Sequence, residues 1–251
     1  MKGEEHMILP RNPWTKLPLE SPFVLSEDIA CVNTYNATIS KSNPNYIVVD
    51  SVIPEPFVGD VHSASVIILL LNPGLDENND PQVHADPDFR KALLDNLEHR
   101  ESNWPFYFFN PLFEKTPGGK YWKGKTKNLA AEFSYSDLSK RLAAIEWFPY
   151  KSRRYGGCTV PSQQYSFALV RAAIQRNATI VVARSLAKWE ASVPELRQYE
   201  HILTLSSSQN VVLSSNNLKY NGEKVERAWA RLVEAITYPG QRRILTENTK
   251  Q

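Results

Sequence analysis

At 251 residues the chain is long enough for one large domain with a sizeable core, and its 42% hydrophobic and 22% charged residues are ordinary for a globular protein. A formal net charge of only +2 excludes a global field that gathers nucleic acid, so such binding has to come from local basic patches. Cys31 and Cys158 make neither a CxxC pair nor a disulfide framework, which argues against disulfides and thiolate-metal sites. The first ten residues lack the apolar core of a signal peptide, and no apolar run reaches membrane-spanning length. The expectation is a cytoplasmic protein with no membrane contact, no metal and no cofactor.

The first 44 residues carry several prolines and no sustained period, and read as an irregular arm with a short helix near Ser26 to Cys31. Asn45 to Val52 reads as a strand ended by Pro54 and Pro56. Val66 to Leu71 is an unalternated run of β-branched and leucine side chains, the pattern of a strand buried on both faces in a parallel sheet. Pro73 cannot donate to a ladder and Gly74 permits a turn, so the strand delivers Asn72 at its carboxyl end, where open α/β sheets bind ligands. A carboxamide there either caps the turn or acts on a ligand.

An acidic, asparagine-rich loop follows from Glu77 to Asp80; Asp76 and Glu77 there either hold an ion or are simply solvated. Asp86-Pro87 then supplies an N-cap and a first-turn proline for a helix that buries Phe89, Ala92, Leu93 and Leu97. Trp104 to Phe113 is the most aromatic stretch, and Lys115 to Lys127 adds five lysines, Gly118-Gly119, Tyr121 and Trp122. This is either a loop that grips backbone and stacks bases, or one packed by its own aromatics. Ser134 and Asp137 form a capping box for a short helix with Leu138 and Leu142 inward.

Ile145 to Tyr150 reads as a strand stopped by Pro149, with Lys151, Arg153 and Arg154 behind it, either gripping phosphates or forming a salt-bridged surface. Pro161 opens a helix to about Arg176, Thr179 to Ala183 is a further buried strand, and Ser185 begins a helix interrupted at Pro194. His201 to Leu205 and Val211 to Leu213 are short strand-like runs. A last amphipathic helix carries Val225, Ala228, Trp229, Leu232 and Ile236, and a polar tail starts at Tyr238. His84 and His201 read as surface or structural histidines. Alternating strands and helices imply a parallel sheet with helices on both faces. The Asn72 turn, the Glu146 strand with its basic follower, and the Ser214 to Leu218 loop then converge on one rim.

The order of these motifs resembles the uracil-DNA glycosylase superfamily, in its mismatch-specific and single-strand-selective branches. Leu71-Asn72-Pro73-Gly74 is similar to the family's first motif, with Leu70-Leu71 where a glycine usually stands. The resemblance implies a three-layer α/β/α fold with a central, mainly parallel four-stranded sheet. It spans residues 46–237, between an arm at 1–45 and a tail at 238–251. Asn72 would position the attacking water, with Gly74, Leu75 and Glu146 against the base. The second family motif, His-Pro-Ser or Asn-Pro-Ser, is replaced by Ser214-Ser215-Asn216-Asn217-Leu218. Ser214, Ser215 or Asn216 would then donate a neutral hydrogen bond to the departing base.

Leu218, or alternatively Tyr220, would wedge into the DNA, and Lys151, Arg153 and Arg154 would contact phosphates. Glu146 stands three residues before Pro149, where the single-strand-selective branch reads the base with an asparagine. An ionised carboxylate only accepts hydrogen bonds, so it would favour an exocyclic amine over the uracil carbonyl, unless it pairs with a nearby Arg or Lys. The implied function is a DNA glycosylase that flips and excises a damaged or modified base, an amino-bearing one included, with DNA as partner and no cofactor. The competing reading is a non-catalytic nucleic-acid or protein-binding module on the same fold. A third is an α/β nucleotide hydrolase that requires a metal.

Overall fold

Six strands form a single sheet in the computed structural model, which describes residues 9–39, 43–207, 209–221 and 226–239. They are β1 (Phe57–Val58), β2 (Val66–Leu70), β3 (Leu142–Glu146), β4 (Thr179–Val182), β5 (Ile202–Leu205) and β6 (Leu218–Tyr220). Across the sheet the order is β1-β3-β2-β4-β5-β6. The inner four strands are mutually parallel, while β1 on β3 and β6 on β5 run antiparallel at the edges. The sheet is therefore mixed and mostly parallel, with six strands where four were expected. All five residues of β2 are buried, as are the four of β4, which explains the missing alternation: both faces of the sheet are covered.

The helices are α1 (Ile29–Thr38), α2 (Asp80–Ala85), α3 (Pro87–Leu97), α4 (Pro117–Thr126), α5 (Tyr135–Arg141), α6 (Gln163–Gln175), α7 (Leu186–Ser192) and α8 (Glu226–Thr237). Two start where the capping residues place them. Asp86 accepts from the Phe89 N–H at 2.9 Å to open α3, and Ser134 accepts from the Asp137 N–H at 3.0 Å to open α5. The connection from β2 to β3 carries α2 to α5, whereas α6 and α7 alone bridge the later strands. Among the described residues, no helix is long and apolar enough to cross a membrane.

Several predicted elements differ. Residues 45–52 are not a strand: Val48 donates to Asn36 Oδ1 and accepts from Asn36 Nδ2, so a side chain takes both backbone groups that a ladder would use. Only Val49 forms an isolated bridge, to Lys151. Leu142 begins β3 rather than ending a helix. Residues 211–213 lie outside the sheet, whose edge is instead Leu218–Tyr220. The lysine-rich segment is α4, not a loop, and Phe106, Tyr107, Phe108, Phe109 and Phe113 before it are buried. Those rings pack on one another and on Phe89, so they build the core beneath the site instead of an exposed stacking surface. Val225 and the tail beyond residue 239 lie outside the described residues.

Candidate functional site

The turn after β2 is held by the segment after β3. Phe148 N–H donates to Leu71 O at 2.8 Å, and the next contacts come from Lys151 and Ser152. Asn72 Nδ2 donates to Ser152 Oγ at 3.0 Å, to Ser152 O at 3.2 Å and to Pro73 O at 3.1 Å. Ser152 spends its own proton on Arg154 O, so its oxygen is free to accept. Two carbonyls facing one end of the carboxamide fix which end is nitrogen. Oδ1 is left as an acceptor with no hydrogen bond among the described residues, and Asn72 borders a cavity of about 410 Å³. A turn-capping role alone does not describe this residue, because its carboxamide is clamped by another segment and its oxygen is unused.

Beneath the turn lies a buried ionic cluster. Lys151 Nζ is 2.7 Å from Glu55, 3.3 Å from Asp80 and 3.2 Å from Gly74 O, so its three protons all have acceptors. His84 accepts from the Ile53 N–H at Nδ1 and turns Nε2 to Glu55 at 3.3 Å. Burial alone would raise the Glu55 carboxyl, but Lys151 and then His84 bring it down to about 2. Burial first, and then Glu55 and Asp80, push the Tyr107 hydroxyl well up. Glu55 and Asp80 thus converge on the Lys151 ammonium, and His84, on α2, backs Glu55. Lys151 is a buried strut, not the phosphate contact predicted for it, because exposing it would strand two carboxylates.

The cavity opens beyond the carboxyl ends of β2, β3 and β4, with α4 as a wall. Thr116 caps α4 by accepting from Gly119 N–H at 3.0 Å, and a Cβ on Gly118 would stand 2.0 Å from the Phe108 ring. The two glycines therefore let the helix approach the aromatic core closely enough to place Tyr121 and Trp122 on the cavity. Glu146, half-buried, ends β3 opposite Leu70. Its Oε2 is buried and has no hydrogen-bond partner among the described residues. Burial, then the neighbouring Glu55 carboxylate, hold its carboxyl well above the usual range, while Arg184 and Lys151 pull less strongly the other way. The ionised carboxylate expected at this position is thereby disfavoured, and no ion pair with an Arg or Lys relieves it among the described residues.

Of the residues singled out from sequence, Asn72, Gly74, Leu75, Glu146, Lys151 and Arg153 border this cavity. Arg153 is exposed and paired with Glu77, and Arg154 is exposed outside it. Ser214, Ser215 and Asn216 are not brought to the cavity. Their segment is tied to the far end of α4, where Leu213 N–H donates to Lys125 O and Asn128 to Leu213 O. Asn217 closes it on itself through Asn210 O, Val212 O and the Ser207 N–H. Leu218 is fully buried in β6, and Tyr220 lies under Arg231 with its guanidinium 4.0 Å from the ring centre. Neither is placed as a wedge: one is core and the other is covered.

Sequence reasoning missed Glu55, Asp80 and Arg184 as cavity residues, whereas Tyr121 and Trp122 belong to the aromatic, lysine-rich stretch singled out from sequence. For Arg184 a signal existed, since it follows β4 as Asn72 follows β2. No family model, no curated protein and no solved structure matches this chain.

Proposed function

We propose that the chain is a DNA glycosylase of the uracil-DNA glycosylase type, a three-layer α/β/α domain that takes a flipped, damaged or modified base into the cavity beyond β2 and releases it by hydrolysis. One observation carries the reading: the Asn72 carboxamide is clamped through its nitrogen, leaving Oδ1 without a hydrogen bond among the described residues, on a residue that borders the cavity. An acceptor fixed there can hold a water in line with the sugar carbon while the base departs, lowering the barrier by orientation and not by proton abstraction. A volume of about 410 Å³ is in the range of small-molecule sites and suits a nucleobase with part of its sugar. Base departure leaves negative charge on the base and positive charge on the sugar, and the half-buried Arg184 on the same wall supplies positive potential toward the former.

One observation favours a second reading. Ser214, Ser215 and Asn216 stand away from the cavity, so none of them reaches a departing base, which suits a binding module that holds a flipped base without cutting it. The two readings, and a metal-dependent hydrolase, separate in one experiment. Oligonucleotides with different damaged or modified bases are incubated with the protein, with and without chelator. Abasic sites formed in the presence of chelator support the glycosylase. Saturable binding without abasic sites supports the module, and metal-dependent phosphate release contradicts both.

A further inference from the structure

Glu146 carries an unsatisfied buried oxygen at a cavity lined both by apolar side chains, among them Leu70, Phe108 and Trp122, and by the Glu55, Asp80 and Lys151 cluster. Four charged or titratable side chains face it, each from a different segment. Glu55 comes from before β1, Tyr121 from α4, Lys151 from after β3 and Arg184 from the end of β4. None relieves it. Lys151 has spent its three protons on Glu55, Asp80 and Gly74 O, and Arg184 makes no ion pair with Glu146 among the described residues. A carboxylate with one oxygen buried and without a donor, next to a second carboxylate, is disfavoured when charged, and such a group tends to keep its proton on that oxygen.

A protonated carboxyl presents one donor and one acceptor side by side. Turned one way it matches an N–H beside a C=O, the edge of an oxo base. Turned over, it matches a ring nitrogen beside an NH₂, the edge of an amino base. We propose that Glu146 reads the base edge as an uncharged carboxyl group and that the cavity therefore accepts oxo and amino bases alike. The inference rests on the glycosylase reading of the cavity, but it is tested by binding and not by excision.

Uracil and cytosine, as free bases, are titrated calorimetrically into the full chain and into Glu146→Gln and Glu146→Leu at neutral pH. The wild type is expected to bind the two bases within about threefold of each other, and Glu146→Gln, which retains a donor and an acceptor, to keep that ratio. Glu146→Leu is expected to lose about tenfold or more for both. A gain of about tenfold for uracil alone in Glu146→Gln would show that the wild-type group is ionised, and overturns the proposal. Unchanged binding in Glu146→Leu, or no binding of either base by the wild type, overturns it too. Abasic-site formation, measured in parallel on damaged oligonucleotides, tells whether the glycosylase reading falls with it: excision that persists leaves that reading standing.

Discussion

At the scale of single residues, the site depends on which end of one carboxamide is held. Ser152 supplies two of the three acceptors that hold Asn72 Nδ2, one from its side chain and one from its backbone. Ser152→Ala removes only the first, so Asn72 is loosened but not released. Single-turnover excision is expected to slow about tenfold with little change in substrate affinity, and an equal loss in both would mean that Ser152 merely supports binding. The two cavity glutamates carry opposite pH signatures. Glu55 is depressed from 4.5 to about 2, so its contribution to stability is present above 4.5 and is lost as pH falls toward 2. Glu146 is raised from 4.5, so above that pH the unfolded chain ionises while the folded one does not, and stability is lost as pH rises. Thermal midpoints followed across pH should therefore rise at neutral pH in Glu146→Gln while the acid limb stays as in the wild type. Parallel curves at all pH values would contradict this assignment.

At the scale of elements, two loops are locked together. The segment after β3 reaches under the turn after β2 with Lys151 and beside it with Ser152, so neither loop takes its shape alone. Lys151→Met leaves Asp80 buried without its ion pair and Glu55 with His84 alone, and is expected to cost about 3–5 kcal/mol in denaturant unfolding. A loss within a few tenths of a kcal/mol would return Lys151 to a surface role. The element pattern was legible where local chemistry decides. The apolar run of β2, the Asp86-Pro87 start of α3 and the Ser134 cap of α5 needed no tertiary context. It was not legible where distant groups decide. Asn36 takes the backbone of Val48 from 12 residues away, and the close approach of Gly118 to Phe108 makes a helix of a glycine-bearing segment that propensity disfavours. The site divides in the same way. Asn72 and Glu146 follow from strand ends, whereas Asp80 and His84, one turn apart on α2, meet Glu55 and Lys151 only through tertiary packing.

At the scale of the whole molecule, the near-neutral charge leaves any grip on DNA to a few exposed groups at the cavity rim. Arg153 is exposed at that rim and Arg154 just outside it, next to the residues that hold Asn72. If both contact phosphates, Arg153→Gln and Arg154→Gln should each lower the slope of log affinity against log salt by about 1, across all sequences. An unchanged slope would leave them as surface charge, with Arg153 serving Glu77 alone. The account as a whole stands on the claim that Asn72 presents its free oxygen to a water at the end of the central parallel strand. The most direct measurement compares wild type and Asn72→Ala for abasic-site formation in single turnover with chelator present, using the best oligonucleotide from the damage panel. The account predicts a loss of about a hundredfold to a thousandfold in rate, with DNA affinity little changed and the thermal midpoint lower by only about 2–4 °C. A variant that excises the base as fast as the wild type would contradict it.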